Sequence, residues 1–376
     1  MRITILTAGS TGDVLPYVAL GEGLAAAGHR VALASHPIFE HLVSSHGLEF
    51  RVVEGNPRDI VASQVGVELM ESESQLDVTR RMGAVIKPIM ERWRADAREA
   101  SADAELIMTS VLAIDGLWMA EERGIPAFFM AISPVHQNSL YPPHQTLFIR
   151  PYRRMEARRV PTLYGFSPSV VPKPPEWGDH VTVAGYWFLD QAPGYQPPPD
   201  LAAFIEAGPP PVAIGYGSMG DRDPETLTGI SIEALRLAGQ RGVLVSGWAG
   251  LKKEDLPDHV AAIEAIPHEW LFPRMAAAVH HAGPMTLAVA LRAGIPGVSV
   301  PFFFDQLWWA DRAAALGIGP KAVPRRTLTA ESLAQAIDRA VTDDRIRKTV
   351  AEIGEQVRDE DGIATAVEAV ARVTGS

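Results

Sequence analysis

The sequence predicts an α/β protein with two domains, each built around a Rossmann-like parallel sheet. The chain has 376 residues, a length that suits two domains of ordinary size. In both halves, short β-branched runs alternate with alanine-rich helical patterns, as in βαβ units. A stiff, proline-rich stretch between the halves, 192–199, is typical of an interdomain linker.

In the first half, five short apolar runs are predicted to be strands, and two longer segments have helical spacing. The predicted strands are Ile3–Thr7, Arg30–Ala34, Phe50–Val53, Leu106–Thr109 and Ala127–Ala131. The predicted helices are Tyr17–Ala27 and Val85–Ser101. This alternation predicts the first parallel sheet.

The second half repeats the plan. Its predicted strands are Val212–Tyr216, Gly242–Ser246, Ala261–Ala265, Ala277–His280 and Gly297–Val300. Its predicted helices are Pro224–Ala238 and Thr286–Ala293, and a final amphipathic segment, Arg345–Arg372, is also predicted to be helical. Ligands of open α/β sheets bind at the carboxyl ends of the strands, so two facing domains would form a cleft between them.

Composition excludes several classes of function. Hydrophobic residues make up 47% of the chain and charged residues 21%, as in globular proteins. With 34 basic against 45 acidic residues the net charge is −11, so nothing favours general binding to nucleic acid or anionic membrane. There is no cysteine, which excludes disulfides, thiolate zinc sites and a cysteine nucleophile.

The sequence contains no recognisable targeting or membrane-spanning pattern. Met1 to Leu6 enter a predicted strand directly, without the charged region and apolar segment of a secretory signal. Every apolar stretch is interrupted before about 18 residues, the length that a spanning helix needs. We therefore expect a cytoplasmic protein without a transmembrane segment.

Two polar segments follow predicted strands of the second half. The first, His280 to Thr286, combines a strand end, a glycine turn and the start of a helix, a geometry that binds phosphate. The second ends an apolar run with the adjacent Asp305 and Gln306, whose side chains can bond neighbouring hydroxyls of a sugar ring. A diphosphate beside a polyol indicates a sugar nucleotide.

The segment from His281 to Gln306 resembles the donor-binding box of family 1 glycosyltransferases, in the branch of sterol glucosyltransferases and antibiotic aglycone glycosyltransferases. Further similar segments follow in family order across nearly the whole chain. They are Gly9 to Pro16, Leu163 to Pro168, Gly185 to Phe188, Gly215 to Met219 and Ile266 to Phe272. The resemblance implies the GT-B fold, in which two Rossmann-like domains face each other across a cleft.

The resemblance also implies where the domains begin and end and what each of them binds. Residues 1–191 would form the acceptor-binding domain, 192–211 the proline-rich linker and 212–354 the nucleotide-sugar-binding domain. Residues 355–376 would form a C-terminal helix that returns to the N-terminal domain.

Asp13 is the candidate general base. It follows the first predicted strand in a loop whose acceptor-side residues are Ser10, Thr11 and Gly12. Displacement at an anomeric carbon requires removal of the acceptor's hydroxyl proton, which a carboxylate can accept. The resemblance implies this role because the branch uses an aspartate in this loop. The alternative is that Asp13 only caps the helix that follows.

Donor binding is expected at the ends of several strands of the second domain. His281, the backbone of Gly283 and Met285, and the hydroxyl of Thr286 would bind the diphosphate, with Ser218 on the opposite wall. The base would be bound by Trp248 and by the segment from Ile266 to His268. His280 is expected to pack inward.

The sequence departs from the branch at this loop, with Ala282, Pro284 and Met285 where relatives usually have Gly, Ala and Gly. If the last of these glycines adopts a positive φ, methionine there is strained. Met285 could also crowd the phosphates. Proline is compatible with the first turn of a helix.

Asp305 and Gln306 match the pair that binds the sugar hydroxyls in the family. The glutamine is similar to that of glucose-using members, which favours UDP-glucose over a dTDP-sugar as donor. The alternative is a polar strand end that caps the next helix. The sugar nucleotide would be a co-substrate, and neither a further cofactor nor a metal is expected. The single Asp-x-Asp runs into Pro224, so Asp223 is better explained as a helix N-cap than as a metal ligand.

The acceptor side is shortened to Val135–Leu163 and carries a basic cluster, Arg150, Arg153, Arg154, Arg158 and Arg159. Such a cluster is usually a solvated face, and the alternative is docking of an anionic acceptor or of lipid headgroups at a membrane surface.

The leading interpretation is an inverting glycosyltransferase that moves glucose from UDP-glucose to a hydroxyl of an apolar acceptor, such as a sterol, polyketide, macrolide or peptide aglycone. A second interpretation is a non-catalytic relative that acts as a partner or activator of another transferase. A nicotinamide-dependent oxidoreductase is disfavoured, because Gly9 to Gly12 do not form a G-x-G-x-x-G fingerprint.

Overall fold

The computed structural model describes residues 1–62, 91–136, 149–190, 195–219, 223–247, 256–303 and 305–375. The chain divides into two compact units. The first contains the described residues of Met1–Ile60, Ser72–Leu189 and Glu360–Ser376, and the second contains those of Val61–Glu71 and Asp190–Asp359.

The first unit contains a seven-stranded sheet in the order β3-β2-β1-β4-β5-β6-β7, with every neighbouring pair parallel. Its strands are β1 Arg2–Leu6, β2 Arg30–Ser35, β3 Glu49–Val52, β4 Leu106–Thr109, β5 Ala127–Ala131, β6 Thr162–Tyr164 and β7 Val181–Val183. The central strands are buried, which explains their continuous apolar runs.

The second unit contains a five-stranded parallel sheet in the order β10-β9-β8-β11-β12. Its strands are β8 Val212–Gly215, β9 Gly242–Val245, β10 Val260–Ile263, β11 Ala277–His280 and β12 Gly297–Ser299. Strand β11 lies between β8 and β12, so the segments that follow these three strands leave the same edge of the sheet.

All ten predicted strands are present, and their ends lie within two residues of the predicted ones. The described helices are Thr11–Ala26, Glu40–Ser45, Pro57–Ala62, 91–100, Gly116–Arg123, Ile149–Ala157, Pro199–Glu206, Pro224–Leu237, His268–Leu271, Pro284–Ala293, Asp305–Leu316, Ala330–Thr342, Asp344–Asp359 and Gly362–Thr374. None of these described helices is long and apolar enough to cross a membrane.

Two helical predictions need correction, and one helix lies in a segment for which none was predicted. The first helix begins at Thr11, six residues before the predicted start, because Pro16 lies inside the helix instead of ahead of it. The segment predicted to be a linker contains the helix Pro199–Glu206. The predicted C-terminal helix is two helices, since the chain breaks at Glu360 and Asp361, where Asp361 accepts a hydrogen bond from the Ala364 N–H (2.8 Å).

The last helix packs within the first unit, against the Thr11–Ala26 helix. Gly23 makes this possible, because a Cβ atom there would collide with Ile363. Ala366, Ala369 and Val370 are buried in the same core as the strands β1 and β2.

Candidate functional site

Asp13 occupies the third position of the Thr11–Ala26 helix, directly after β1. Its Oδ2 accepts hydrogen bonds from the Ser10 backbone N–H (2.8 Å) and from the Ser10 hydroxyl (2.9 Å). A carboxylate at this position satisfies a backbone donor that the start of a helix leaves without an intrahelical partner. The capping contact that we considered as an alternative role for Asp13 is therefore present, and it fixes the position of the carboxylate.

The carboxylate of Asp13 is tightly packed on the side of Gly9, whereas the helix start is open at Gly12. Gly9 has φ +122°, and a Cβ atom there would lie 2.6 Å from Asp13 Oδ2. Burial first, and the Asp13 carboxylate second, raise the pKa of the Tyr17 hydroxyl one turn further along the helix. Thr11 is exposed, and a Cβ atom at Gly12 would meet nothing within 4 Å, so the helix start is open at Gly12.

His281 follows β11 in the second unit, and its ring lies between two glycines. A Cβ atom at Gly217, which has φ +64°, would lie 2.8 Å from His281 Cε1, and one at Gly283 would collide with Nε2. The Nδ1 atom of His281 is buried and has no hydrogen-bond partner among the described residues. Burial, and then the nearby His268, lower the pKa of His281 to about 4, so the ring is neutral at neutral pH.

His280 points into the core, as expected, and is 1% exposed. Its Nδ1 accepts a hydrogen bond from the Ala282 N–H (3.0 Å), and burial is the main cause that lowers its pKa to about 3. Gly297 on the neighbouring strand leaves room for the ring, because a Cβ atom there would lie 2.7 Å from Nε2. His280 therefore shapes the turn that presents His281.

The strain predicted for Met285 lies at Ala282 instead. Ala282 has φ +64°, and it and Arg159 are the non-glycine residues with positive φ among those described. Met285 occupies the second position of the Pro284–Ala293 helix, which begins with Pro284 at its first position. The proline is compatible with the helix, as predicted, since it replaces an N–H that has no intrahelical acceptor.

The start of this helix has the features of an anion site. Its N-cap is Gly283, which has no side chain to accept hydrogen bonds from the first helical N–H groups. Met285 and Thr286, in this first turn, are half-buried. His281, Gly283, Met285 and Thr286, four of the predicted donor residues, therefore lie together at one helix N-terminus.

Loops that follow neighbouring strands approach closely beside His281. A Cβ atom at Gly247, after β9, would lie 2.9 Å from the carbonyl oxygen of Gly217, after β8. Ser218 is half-buried in the same turn as Gly217. The structure therefore brings the turn that contains Ser218 close to His281, and the role of Ser218 on the opposite wall of the diphosphate site stays a prediction.

The residues predicted to bind the base are only partly described. Ile266 is 7% exposed, and His268 begins the His268–Leu271 helix. The His268 ring stacks on Phe272 with centroids 4.6 Å apart, and burial lowers its pKa to about 4. Trp248 lies outside the described residues.

Asp305 and Gln306 begin the Asp305–Leu316 helix. Asp305 is half-buried at its first position, whereas Gln306 is 5% exposed. The Gln306 Oε1 accepts hydrogen bonds from the N–H groups of Phe302 (2.9 Å) and Phe303 (3.3 Å). Its Nε2 donates to Met219 Sδ (3.0 Å), so the described bonds of the amide are all internal.

Asp223 is a helix N-cap, as predicted. Its carboxylate accepts hydrogen bonds from the Thr226 N–H (2.9 Å) and the Thr226 hydroxyl (2.5 Å). Asp221 and Arg222 lie outside the described residues. The Asp223 carboxylate is therefore bonded to the first turn of the Pro224–Leu237 helix.

Three arginines of the basic cluster form ion pairs with two carboxylates. Arg154 and Arg158 both pair with Glu121, and the Arg154 guanidinium lies 3.9 Å above the Trp118 ring. Arg159 pairs with Asp179. The Arg150 side chain and residues 137–148 lie outside the described part of the chain. These ion pairs favour the interpretation of a solvated face over that of an anion-docking surface.

Known proteins resemble both units. Residues 3–142 match the glycosyltransferase family 28 N-terminal domain. Residues 246–371 match the C-terminal domain of erythromycin biosynthesis protein CIII-like proteins. The chain is 33% identical over 418 residues to sterol 3-beta-glucosyltransferase UGT80B1 of Arabidopsis thaliana, covering 99% of this chain and 68% of that protein. The chain belongs to the GT-B glycosyltransferases. More narrowly, it belongs to the branch that contains sterol glucosyltransferases and antibiotic aglycone glycosyltransferases.

Other relatives of this glycosyltransferase are considerably longer. It is 32% identical to the sterol 3-beta-glucosyltransferase of Emericella nidulans, of which it spans 30%. Among solved structures, the calicheamicin glycosyltransferase CalG4 has a TM-score of 0.74 at 21% identity, covering 100% of this chain and 98% of that chain. The glycosyltransferase SsfS6 of Streptomyces sp. SF2575 in complex with thymidine diphosphate has a TM-score of 0.68 at 20% identity, covering 99% of each chain. These two likenesses establish the fold.

The sequence did not identify the residues that position the glycosyltransferase's candidate groups. Gly9 and Gly217 have positive φ and lie against Asp13 and His281, and Met219 binds Gln306. The glycines were visible as Gly-Ser loops after predicted strands, but their contacts depend on the tertiary structure. Met219 lies in a segment that resembles the family, but nothing in the sequence placed it against Gln306, since a methionine after a strand is usually a core residue.

Proposed function

We propose that the protein is an inverting glycosyltransferase that moves glucose from UDP-glucose to a hydroxyl of an apolar acceptor. Sterols, polyketides, macrolides and peptide aglycones are the acceptor classes. The observation that carries the proposal is His281, neutral and positioned between two glycine loops beside the N-terminus of the Pro284–Ala293 helix. Curated relatives that are named sterol 3-beta-glucosyltransferases support a glucosyl donor and a sterol-like acceptor.

In this proposal the second unit binds the donor. The N–H groups at the helix start, together with His281, Ser218 and Thr286, bind the diphosphate and stabilise the charge that develops on the leaving UDP. Ile266 and His268, with Trp248, bind the uracil. Asp305 accepts hydrogen bonds from the sugar hydroxyls.

The first unit binds the acceptor, and Asp13 acts as the general base. The acceptor oxygen attacks the anomeric carbon as the bond from that carbon to the diphosphate oxygen breaks, which inverts the configuration. The hydroxyl proton passes to the Asp13 carboxylate, and UDP leaves with the bonding electrons. Ser10 fixes one carboxylate oxygen, while the open side at Gly12 gives the acceptor access.

The test is transfer of glucose from UDP-glucose to a sterol, with hydrolysis of UDP-glucose measured in parallel. In Asp13→Asn the amide oxygen still accepts from the Ser10 N–H, so the helix cap is kept while the base is lost. We expect this variant to bind UDP normally and to lose activity by about a hundredfold or more. The matched control is Ser10→Ala, which removes the hydroxyl contact and leaves the carboxylate. Full activity in Asp13→Asn would contradict the assignment.

A second candidate, a non-catalytic partner of another transferase, is favoured by the strained turn at Ala282, where relatives usually have glycine. Calorimetric titration with UDP, dTDP and UDP-glucose distinguishes the two. Binding of UDP without turnover of any acceptor would identify the non-catalytic protein. Tighter binding of dTDP than of UDP would assign a dTDP-sugar as the donor.

A further inference from the structure

Trp187 contacts both the C-terminal helix and the helix that carries Asp13. Its side chain is 0% exposed and belongs to the core of the first unit. The indole Nε1 donates a hydrogen bond to the carbonyl of Gly362 (3.2 Å), the first residue of the Gly362–Thr374 helix. The ring also lies against the Tyr17 ring, with centroids 5.9 Å apart and an interplanar angle of 58°. The indole therefore links the start of the last helix to the first helix.

The position of the indole is fixed by close backbone contacts. A Cβ atom at Gly165, directly after β6, would lie 2.7 Å from Cδ2 of Trp187, so the chain there packs on the ring. A Cβ atom at Gly362 would lie 2.5 Å from the carbonyl oxygen of Tyr186. The residue that accepts the indole hydrogen bond is thus itself packed against the residue before Trp187.

The start of the C-terminal helix has further anchors in the first unit. The Glu360 Oε1 accepts hydrogen bonds from the hydroxyls of Ser167 (2.6 Å) and Ser169 (3.2 Å). Gly23 admits Ile363, with which a Cβ atom would collide. The acceptor of the indole bond therefore belongs to a segment that is held on both sides of Gly362.

Tyr17 connects this contact to Asp13, which lies four residues earlier in the Thr11–Ala26 helix. Residues four apart share one face of a helix. The two side chains are close enough that the Asp13 carboxylate adds to the effect of burial, the main cause that raises the pKa of the Tyr17 hydroxyl. A displacement of Tyr17 would therefore move the turn of helix that carries the carboxylate.

Building on the function proposed above, we infer that Trp187 is a positioning residue for Asp13, which holds the helix of the base against the C-terminal helix without touching either substrate. The base and the acceptor oxygen must be aligned, and a misplacement of about 1 Å can lower a rate about a hundredfold. In the proposed function UDP binds to the second unit. Loss of the Trp187 contact should therefore lower kcat and leave the affinity for UDP unchanged.

The test is Trp187→Phe, which keeps an aromatic ring and removes the N–H that bonds Gly362. We expect kcat for glucose transfer from UDP-glucose to a sterol to fall about tenfold, with unchanged calorimetric affinity for UDP. The matched control is Trp93→Phe, in a separate core of the same unit, where the indole is 2% exposed and its N–H has no partner among the described residues. An unchanged kcat in Trp187→Phe, or an equal fall in Trp93→Phe, would overturn the inference.

A second variant approaches the same contact from the first helix. Tyr17→Leu removes the ring that lies against Trp187, and it should also lower kcat without weakening UDP. Because both changes act through one contact, kcat in the double variant should be close to that of the more affected single variant. Falls that multiply in the double variant would contradict a shared role.

Hydrogen exchange tests the inference without any substrate. The Ser10 N–H donates to the Asp13 carboxylate (2.8 Å), so its exchange rate reports whether the carboxylate keeps its place. This N–H should exchange faster in Trp187→Phe than in the wild type and in Trp93→Phe, and equal rates in all three would contradict the inference. If the wild-type protein transfers no glucose, the proposed function fails, and the exchange rates still decide whether Trp187 positions Asp13.

Discussion

Gly9 and Asp13 pack so closely that a Cβ atom on the glycine would lie 2.6 Å from Oδ2 of the carboxylate. The contact exists because Gly9 has φ +122°, a conformation that residues with side chains rarely adopt. The position of the proposed base therefore depends on a glycine, which has no side chain that could take part in the reaction.

Gly9→Ala should displace the Asp13 carboxylate and strain the loop. We expect transferase activity to fall at least about tenfold and the free energy of unfolding to fall by about 1–3 kcal/mol. The matched control is Gly47→Ala, which also has a positive φ (+74°) but where a Cβ atom would meet nothing within 4 Å. Activity assays and urea denaturation check both variants, and equal activity in the two would show that Asp13 does not need its present position.

Ala282→Gly should stabilise the protein. Ala282 has φ +64°, which costs an L-residue about 1–2 kcal/mol, partly offset by the greater freedom of glycine in the unfolded chain. We expect a net gain of about 0.5–1 kcal/mol in the free energy of unfolding. Ala288→Gly, in the middle of the following helix, is the control and should destabilise by about 1 kcal/mol or more. A loss of stability in Ala282→Gly would contradict the strained turn.

The buried histidines should make the second unit sensitive to acid. The pKa of His280 is lowered from 6.5 to about 3, mainly by burial, so between these values the unfolded state binds a proton that the folded state does not. The contribution of neutral His280 to the free energy of unfolding is therefore fully present above pH 6.5 and decreases as the pH falls toward 3. The slope from this residue is about 1.4 kcal/mol per pH unit.

His280→Asn retains an acceptor for the Ala282 N–H but does not titrate. Its free energy of unfolding should therefore fall less steeply between pH 6 and pH 4 than that of the wild type. His46→Asn is a control, since this half-buried histidine lies in the first unit. Urea unfolding at half-unit pH steps measures both slopes, and identical slopes in His280→Asn and the wild type would disprove the buried neutral state.

Gly23→Ala should weaken packing of the last helix against the first. The added methyl group would collide with Ile363, and overpacking of this kind costs about 1–3 kcal/mol. Gly229→Ala is the matched control, because it lies in an exposed helical position where a Cβ atom would meet nothing, and it should stabilise by about 0.5–1 kcal/mol. Thermal unfolding distinguishes them, and similar shifts for both would argue against close helix packing.

The sequence predicted ten of the twelve described strands and missed the last two of the first unit. Buried strands such as Leu106–Thr109 are continuous apolar runs bounded by polar residues, so their ends are visible. The two strands that were not predicted, Thr162–Tyr164 and Val181–Val183, have three residues each. The first helix begins before its predicted start and contains Pro16, although a proline is usually found in the first turn of a helix.

For the candidate site, the sequence predicted which residue types follow which strands. The placement of His281 and Thr286 at a helix start follows from local pattern alone. The direction in which a side chain points does not follow from local pattern. Gln306 is adjacent to Asp305 in sequence, yet its amide donates a hydrogen bond to Met219, 87 residues away. Similarly, the positive φ at Ala282 and the inward position of His280 are properties of the folded structure that the local sequence does not show.

The first unit is discontinuous in sequence, since Ala366 and Val370 complete a core begun by Ile3 and Ile5. On the ribosome, these closing residues emerge only after the whole second unit has been synthesised. The apolar surface of the N-terminal sheet that these residues cover therefore stays exposed while the intervening residues 190–359 are synthesised. A chain cut at residue 189 would keep that surface exposed, so the N-terminal half expressed alone should aggregate, and adding residues 360–376 as a separate peptide should reduce the aggregation.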